Sequence, residues 1–272
     1  MRVHEIIDLD DPRVAVYRSL RRVAALRNSG SFVAEGSRVV TQLLESRLRI
    51  RSLLLDARWL ETFRSTLDKR PEPELDVFLT TKDELERIVG YHVHQGVMAV
   101  AETPVAPDML THVRQLDAPL LVSLSGVSNA ENVGSILRTM AGFGAHGLLI
   151  DGATCDPFVR RAARVSMGAA FRIPVWRSAD LVADMQLLRT ECGVRSVAAH
   201  LHGERSDVDR ADLSGGMLVA LGSEAVGLPD DVAAACDVVV EIPMSDGWSC
   251  LNVHIAGAIM LWEITRGRRR NA

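Results

Sequence analysis

The sequence predicts an α/β protein made of two parts, a small mixed domain followed by a larger domain built on a parallel sheet. Apolar strand-like runs alternate with helical runs along most of the 272 residues, and a stretch with two prolines, Thr103–Asp108, separates the two series. No apolar run approaches the roughly 18–20 residues that a membrane span needs, and the N-terminus lacks the apolar core of a secretory signal. We therefore expect a globular protein of the cytoplasm.

The first part, residues 1–105, contains short elements of both kinds. Apolar side chains recur at helical spacing in Pro12–Leu26 and again in Glu35–Leu44. The following elements are predicted as the strand Ile50–Leu55, the helix Trp59–Leu67, the strand Leu75–Leu79, the helix Thr81–Val89 and the strand Gly96–Ala101. Residues 106–117 are expected to be a linker.

The second part, residues 118–272, shows a clearer alternation. Strands are predicted at Leu120–Leu124, Gly147–Ile150, Ile173–Val175, Val194–Ala198, Met217–Leu221 and Val238–Ile242. Helices are predicted at Val133–Phe143, Pro157–Met167, Ala179–Thr190, Pro229–Ala235 and Leu251–Arg266. Apolar strands joined by helices form parallel sheets covered on both faces, and the ligands of such sheets bind at the carboxyl ends of the strands.

A polar loop, Ser128–Thr139, follows the first strand of the second part. Asn129 and Asn132 stand where an asparagine can cap a helix. Arg138 follows within two helical turns, and its guanidinium could reach the same crevice and hold a phosphate. A capped helix with a surface arginine explains the same residues.

Two further polar loops follow later strands. One holds Gly222 and Gly227 with Glu224 between them, which suits a backbone loop wrapped round a small ligand. The other, residues 242–254, leads into the last predicted helix with Asn252 at its start. Each loop alone is also explained as an ordinary connection, but three such loops at one sheet edge predict a binding site.

These three segments together resemble the motifs of the SpoU/TrmH-type RNA methyltransferases of the SPOUT superfamily. The matching residues are, in the first motif, Asn132, Gly134, Arg138 and Thr139; in the second, Leu221, Gly222, Glu224, Gly227 and Leu228; and in the third, Ile242, Pro243, Met244, Leu251, Asn252 and Val253. The first part resembles the family's L30e-like substrate-binding domain through Phe32–Gly36 and His94–Val97. The resemblance covers nearly the whole chain and is most specific after residue 118.

The resemblance implies a fold, a cofactor and a reaction. The second part is expected to be a SPOUT domain with a deep trefoil knot, and the protein is expected to be a homodimer packed through the knot region. The implied cofactor is S-adenosyl-L-methionine, contacted mostly by backbone groups of Gly222, Ile242, Met244 and Leu251. The implied reaction is methyl transfer to the 2′-hydroxyl of a ribose in structured RNA.

The resemblance also nominates Arg138 as the catalytic residue, in one of two roles. A desolvated Arg138 could take the hydroxyl proton, or a charged Arg138 could grip the neighbouring phosphate and stabilise the developing alkoxide. We favour the charged form because a guanidinium keeps its proton far above neutral pH. Asn132 and Glu224 are expected to orient the substrate or Arg138, and Asn252 to brace the cofactor loop.

The third motif departs from the family pattern at two positions. Cys250 and His254 stand where the family usually has serine. A thiol keeps the size of a hydroxyl but hydrogen-bonds weakly, so Cys250 could alter activity or target choice. Because none of the four cysteines stands in a C-x-x-C pair, we expect free thiols and no metal site.

The charge distribution suits an RNA partner, although the chain as a whole is acidic. The formal net charge is −4, yet residues 13–51 hold nine arginines and only two acids. Arg18, Arg21, Arg22 and Arg27, on or just after the first predicted helix, form a candidate RNA-binding patch. Aromatic residues are only 4% of the chain, which favours recognition through phosphates and RNA shape over base stacking.

Several alternatives stay open at this stage. Ribosomal RNA is the favoured target because the first part is L30e-like, but transfer RNA is also compatible. A SPOUT-like protein could hold RNA or cofactor without methylating, although four intact residues speak against that, namely Asn132, Arg138, Glu224 and Asn252. An α/β hydrolase is a further alternative, and the lack of a G-x-S-x-G motif argues against it.

Overall fold

The computed structural model describes residues 1–18, 29–93, 95–199, 206–223, 226–245 and 251–270. They form two compact units, Met1–Pro104 with Phe158–Arg172, and Val105–Pro157 with Ile173–Ala272. Two details differ from the predicted division. The expected linker contains a helix, Met109–Val113, and residues 158–172, expected in the second domain, pack with the first unit.

The first unit is built on a five-stranded sheet. Its strands are β1 (Arg2–Glu5), β2 (Ser31–Glu35), β3 (Ile50–Asp56), β4 (Asp76–Thr80) and β5 (Val97–Glu102), in the order β1-β4-β3-β5-β2. Strands β1, β4 and β3 are parallel, whereas β5 is antiparallel to β3 and to β2. The helices are α1 (Ala15–Arg18), α2 (Ser37–Leu44), α3 (Ala57–Leu67) and α4 (Lys82–Val89).

Four predicted details of the first unit were wrong or incomplete. Strand β1 was missed because three of its four side chains are ionisable and it lies at the sheet edge. The five-residue strand β2, at the other edge of the sheet, was not predicted either. The helix Glu35–Leu44 was started too early, because Glu35 ends the buried strand β2 and Gly36, at φ 93°, makes the turn into α2. The helix Pro12–Leu26 begins as a 3-10 turn before α1, and from residue 19 it lies outside the described residues.

A segment from the second half of the chain completes the core of the first unit. It contains helix α7 (Arg160–Val165). The Phe158 and Phe171 rings lie 5.4 and 5.2 Å from the Phe32 ring. Arg160 forms an ion pair with Glu35, whose side chain is only 4% exposed. A buried carboxylate needs such a partner, so this segment is part of the stability of the unit.

The second unit is a seven-stranded sheet in which every pairing is parallel, as predicted. Its strands are β6 (Leu120–Ser125), β7 (Gly147–Ile150), β8 (Val175–Arg177), β9 (Arg195–Ala199), β10 (Ser206–Asp207), β11 (Met217–Gly222) and β12 (Val238–Glu241), in the order β10-β12-β9-β11-β6-β7-β8. Its helices are α5 (Met109–Val113), α6 (Ala130–Phe143), α8 (Leu181–Cys192), α9 (Asp230–Ala234) and α10 (Val253–Arg270). The two-residue edge strand β10 was not predicted.

The C-terminal helix α10 packs against α6 and β11. A side-chain carbon on Gly257 would lie 2.9 Å from Cδ1 of Leu221, so the glycine lets the helix approach the strand closely. At the far end, Nη2 of Arg268 donates to the carbonyl oxygens of Pro119 and Gly215 at 3.2 and 2.7 Å. Among the described helices, none combines the length and the apolar character needed to cross a membrane.

Candidate functional site

The first and second loops of the sequence prediction start side by side. They follow β6 and β11, which are neighbouring parallel strands that end together at the pair Ser125 and Gly222. A side-chain carbon added to Gly126 would lie 3.6 Å from Cβ of Ser223, so the space between the two loop starts is narrow. Because the strands are parallel neighbours, both loops leave the sheet at its carboxyl edge.

The second loop closes into a tight turn over the end of β11. Ser223 and Gly227 exchange two backbone hydrogen bonds, at 3.0 and 2.9 Å, and Gly227 has a φ of 75°. A side-chain carbon on Gly222 would lie 2.1 Å from the carbonyl carbon of Gly227 and from the amide nitrogen of Leu228. Only glycine fits position 222 while this turn is closed. Glu224 lies outside the described residues.

Two asparagines join the first loop to the third. Asn129 is the N-cap of α6, since its Oδ1 accepts a hydrogen bond from the backbone of Glu131 at 2.8 Å. Asn132 is not a cap but lies in the first turn, where it is only 6% exposed. The Nδ2 of Asn252 donates to Oδ1 of Asn132 at 3.2 Å, which links residues 120 positions apart. The third segment therefore returns across the sheet to the start of α6.

His254, one of the departures from the family pattern, supports Asn252. Its backbone N–H donates to Oδ1 of Asn252 at 2.9 Å, and its Nδ1 lies 2.7 Å from the same oxygen. A carboxamide oxygen only accepts, so Nδ1 of His254 carries the proton in this arrangement. The imidazole thus supplies a donor that a serine hydroxyl at this position could also supply.

Arg138 lies on the solvent-exposed face of α6. Its side chain is exposed, and within the described part of the chain it has no hydrogen-bond or ion-pair partner. The structure does not bring it into contact with Asn132 or Asn252, which face each other instead. A guanidinium with free donors is available to an anion such as a phosphate.

The predicted cofactor contacts of the third segment have open backbone groups. Ile242 and Met244 are half-buried and Leu251 is exposed. None of these three residues makes a backbone hydrogen bond within the described part of the chain. Donors and acceptors are therefore available to a ligand here, whereas Gly222 belongs to the β11 ladder and contributes a close backbone approach.

Sequence reasoning missed Asp151, which holds the first loop in place. Its carboxylate accepts hydrogen bonds from the hydroxyls of Ser125 and Thr154, at 2.9 and 2.7 Å, and from the backbone of Gly126 at 3.0 Å. Burial acts to raise the pKa of Asp151, but these hydrogen bonds outweigh it and hold the pKa below the ordinary 3.8. The sequence pattern that could have identified it is an aspartate directly after an apolar strand and three residues before a threonine.

Most of the predicted RNA-binding patch lies outside the described residues, namely Arg21, Arg22 and Arg27. Arg18 is described, and its guanidinium donates to the carbonyl oxygens of residues 9–11. These bonds hold the preceding loop and occupy donors that a phosphate would otherwise take.

The described cysteines are free thiols. They are Cys155, Cys192 and Cys236, and burial raises the pKa of Cys236 to about 11, so that thiol is protonated at neutral pH. Among the described residues, no group of three or more His, Cys, Asp or Glu could hold a metal ion. Cys250, the other departure from the family pattern, lies outside them.

The geometry defines a class of protein, a parallel α/β domain with a site made by three loops at its carboxyl edge and a smaller α/β unit in the same chain. Residues 119–262 match the model of the SpoU rRNA Methylase family, and residues 33–105 match the model for RNA 2′-O ribose methyltransferase substrate binding. The first match covers just over half of the chain. The chain therefore belongs to the SpoU rRNA methylase family, a family of RNA methyltransferases.

Similar proteins cover both units. An uncharacterized tRNA/rRNA methyltransferase of Mycobacterium bovis is 32% identical over 97% of this chain and 92% of its own length. The crystal structure of an AdoMet-bound rRNA methyltransferase from Sinorhizobium meliloti is 29% identical, with a TM-score of 0.83 over 97% of this chain and 98% of that one. The SpoU methyltransferase AviRb from Streptomyces viridochromogenes, in complex with AdoMet, is 26% identical, with a TM-score of 0.83 over 96% and 100% of the two chains.

Proposed function

We propose that this protein transfers a methyl group from S-adenosyl-L-methionine to the 2′-hydroxyl of a ribose in structured RNA, with ribosomal RNA favoured over transfer RNA. The observation that carries the proposal is the convergence of the three motif loops. The Asn252–Asn132 hydrogen bond joins the third to the first, and the pairing of Ser125 with Gly222 places the starts of the first and second side by side. The match of the first unit to a 2′-O ribose substrate-binding model supports the ribose as acceptor.

The residues present fit the cofactor. When bound, S-adenosylmethionine supplies a methyl sulfonium, which is a strong electrophile. The turn over Gly222 brings backbone where any side chain would collide, and Ile242, Met244 and Leu251 have backbone groups without partners among the described residues. We assign these four residues to cofactor binding, mostly through the backbone. Two similar structures contain AdoMet, which supports the assignment.

In this proposal Arg138 stays charged and acts electrostatically. Its exposed guanidinium grips the phosphate beside the target ribose and stabilises the 2′-oxygen as the hydroxyl proton passes to solvent water. The oxygen then takes the methyl group, and S-adenosylhomocysteine is the leaving group. Asn252, held between Asn132 and His254, braces the third segment. We assign Asn132 and Glu224 to orienting the substrate or Arg138.

The proposal includes a deep trefoil knot and a homodimer packed through it. The sheet order supports the knot, because the chain leaves β12, separated from β11 by β9, and still returns to α6 at Asn252. The dimer is supported by apolar side chains on the outer face of α10, where Ile255 is 40% and Trp262 is 45% exposed. The first unit is assigned an L30e-like fold and the task of binding RNA.

Ribosomal RNA is favoured because the Sinorhizobium meliloti protein, an rRNA methyltransferase, is similar over almost the whole of both chains. Mapping of 2′-O-methyl groups by mass spectrometry, in RNA from cells with and without the gene, tests this choice. A methyl group lost from transfer RNA alone would contradict it.

Substitution of Arg138 tests the mechanism. Arg138→Ala should lower transfer of a tritiated methyl group to bulk RNA by about 100-fold or more, because the charge that stabilises the developing alkoxide is gone. The affinity for S-adenosylmethionine, measured by calorimetry, should stay within about twofold. Arg138→Lys keeps the charge without the guanidinium fork, and near-full activity in it would contradict a special role for that fork.

The wild-type protein provides the test of the whole proposal. Binding of both cofactor and RNA without methyl transfer to any RNA fraction would identify a binding protein with a SPOUT-like fold. Methyl transfer to a base instead of a ribose would contradict the proposed acceptor.

A further inference from the structure

The first unit has a cleft that the motif loops do not explain. It is lined by Arg58, Trp59, Thr62 and Gln95. Three of these residues lie in the first two turns of α3, and Gln95 lies just before β5. The cleft has a volume of about 390 Å³, within the range of about 300–1,000 Å³ that small-ligand sites occupy. Its size therefore suits one nucleotide better than a large surface.

The aromatic ring in the cleft is held in a fixed orientation. Nε1 of Trp59 donates to the carbonyl oxygen of Gln95 at 2.7 Å. One side of the indole stacks on Phe63, with the ring centroids 5.6 Å apart and the planes 20° from parallel. Phe63 is buried at 4% exposure, whereas Trp59 is only half-buried. A ring that its neighbours hold in place loses little entropy when its exposed part stacks on a ligand.

A cation lies over this ring, with the guanidinium carbon of Arg58 5.9 Å from the Trp59 ring centroid. Nε of Arg58 lies 3.4 Å from a carboxylate oxygen of Asp56, and its Nη2 donates to the carbonyl oxygen of Gln95 at 3.4 Å. The Arg58 side chain is nevertheless 60% exposed, so part of its guanidinium faces solvent. An arginine placed in this way can meet a phosphate at the mouth of the cleft.

The cleft also offers a neutral donor. Oε1 of Gln95 accepts a hydrogen bond from the backbone of Ser37 at 2.7 Å, which fixes the carboxamide. No described residue accepts a hydrogen bond from the amide nitrogen of Gln95. An oriented amide with free donors suits the oxygen or nitrogen acceptors at the edge of a base.

We infer that this cleft binds one unpaired nucleotide of the RNA substrate. The base stacks on the exposed part of the Trp59 indole next to the Arg58 guanidinium, its edge accepts a hydrogen bond from Gln95, and the adjacent phosphate meets Arg58. Aromatic rings next to cations are what proteins use for unstacked bases in single-stranded RNA. The inference rests on the proposed function, which supplies the RNA partner. It differs from the expectation from composition, which favoured contacts to phosphates and RNA shape over base stacking.

The test measures RNA binding by the full chain without cofactor. The probe is a short fluorescent oligouridine, and its dissociation constant is followed by anisotropy. Trp59→Leu should weaken binding about tenfold, since stacking on one aromatic ring has an effect of this order. Trp59→Phe keeps a ring against Phe63 and should lose less than threefold, and a melting curve for each variant reports on folding.

Two arginines on α3 provide a matched pair for the phosphate contact. Arg58→Gln should weaken oligouridine binding several-fold and flatten its salt dependence. Arg64→Gln is the control, because Arg64 is also exposed and paired with an acid, Glu61, but lies outside the cleft. Blunt duplex RNA should bind equally to the wild type and to Trp59→Leu.

Three results would overturn the inference. The first is that Trp59→Leu and Arg58→Gln, both folded, bind oligouridine with the same dissociation constant as the control Arg64→Gln. Another is an equal loss for duplex and single-stranded RNA, which would indicate a general charge effect. A third is tight binding of free uridine monophosphate with no gain for the oligomer, which would identify a site for free nucleotides. Because these assays contain no cofactor, their outcome is separate from that of the methyl-transfer test.

Discussion

Two uncharged residues of the candidate site, Gly222 and Asn132, contribute a close backbone approach and a hydrogen-bond acceptor. Gly222 allows the backbone of Gly227 to lie directly over it, and Asn132 offers a buried acceptor to Asn252. The motif residues themselves could be picked out from the sequence, because they stand in fixed order after apolar strands. Their partners could not, since the Asn132–Asn252 contact joins positions 120 residues apart. Asp151 and Trp59 were missed because their roles depend on neighbours that fold around them.

Substitution of Gly222 tests the importance of the closed turn. Gly222→Ala would place a carbon 2.1 Å from backbone atoms, so the turn must open. We expect affinity for S-adenosylmethionine, measured by calorimetry, to fall about tenfold or more, equivalent to about 1.4 kcal/mol.

Gly142 provides the control for that substitution. It lies in α6 with a negative φ, and an added carbon meets nothing within 4 Å. Gly142→Ala should leave cofactor affinity unchanged and raise the free energy of unfolding by about 0.5–1 kcal/mol. Unchanged affinity in Gly222→Ala as well would show that the turn has no part in cofactor binding.

At the scale of secondary structure, prediction succeeded where strands are buried on both faces. The strand over residues 147–150 was placed at its true limits, and the central strands were placed within one or two residues. The misses were β1, β2 and β10, all at sheet edges, the short helix α5 in the expected linker, and the start of α2, where Gly36 changes the backbone direction; the edge strand β8 was placed two residues too early. Edge strands pair on one side only, so their sequences carry a weak apolar pattern.

Helix α10 is held against the sheet domain at its last turn by Arg268. Arg268→Met should lower the free energy of unfolding by about 1–3 kcal/mol, because the carbonyl oxygens of Pro119 and Gly215 lose a charged donor. Urea denaturation followed by circular dichroism measures the change. Arg269→Met is the control, since Arg269 is exposed and contacts the Trp262 ring at 5.3 Å. Equal losses in both variants would refute a specific role for Arg268.

At the scale of the whole molecule, the two units are not two halves of the sequence. The stretch with two prolines near residue 105 marks where the chain passes from one unit to the other, but residues 158–172 belong to the first unit again. The sequence could not reveal this return, because Arg160 and Phe158 look like any residues of a helical connection. A fragment ending at residue 105 would leave Glu35 buried without Arg160. Such a fragment should be less stable than the same unit in the full chain.

The proposed homodimer can be tested on the outer face of α10. Ile255→Glu should convert a dimer to a monomer in size-exclusion chromatography with light scattering, because a charge would be buried in the interface. Leu187→Glu is the matched control, since Leu187 on α8 is also 40% exposed. A monomeric wild type, or dimers in both variants, would contradict a dimer through this face.

The hydrogen bond between Asn132 and Asn252 has a consequence for the order in which the protein is made. The ribosome releases the first loop long before the third, and contacts of such high sequence separation form slowly. The growing polypeptide can bury much of its parallel sheet before α10 emerges, whereas the hydrogen bond that holds the third motif loop forms only afterwards. If the proposed site holds the methyl donor, chains truncated before α10 should therefore be folded in part but inactive in methyl transfer.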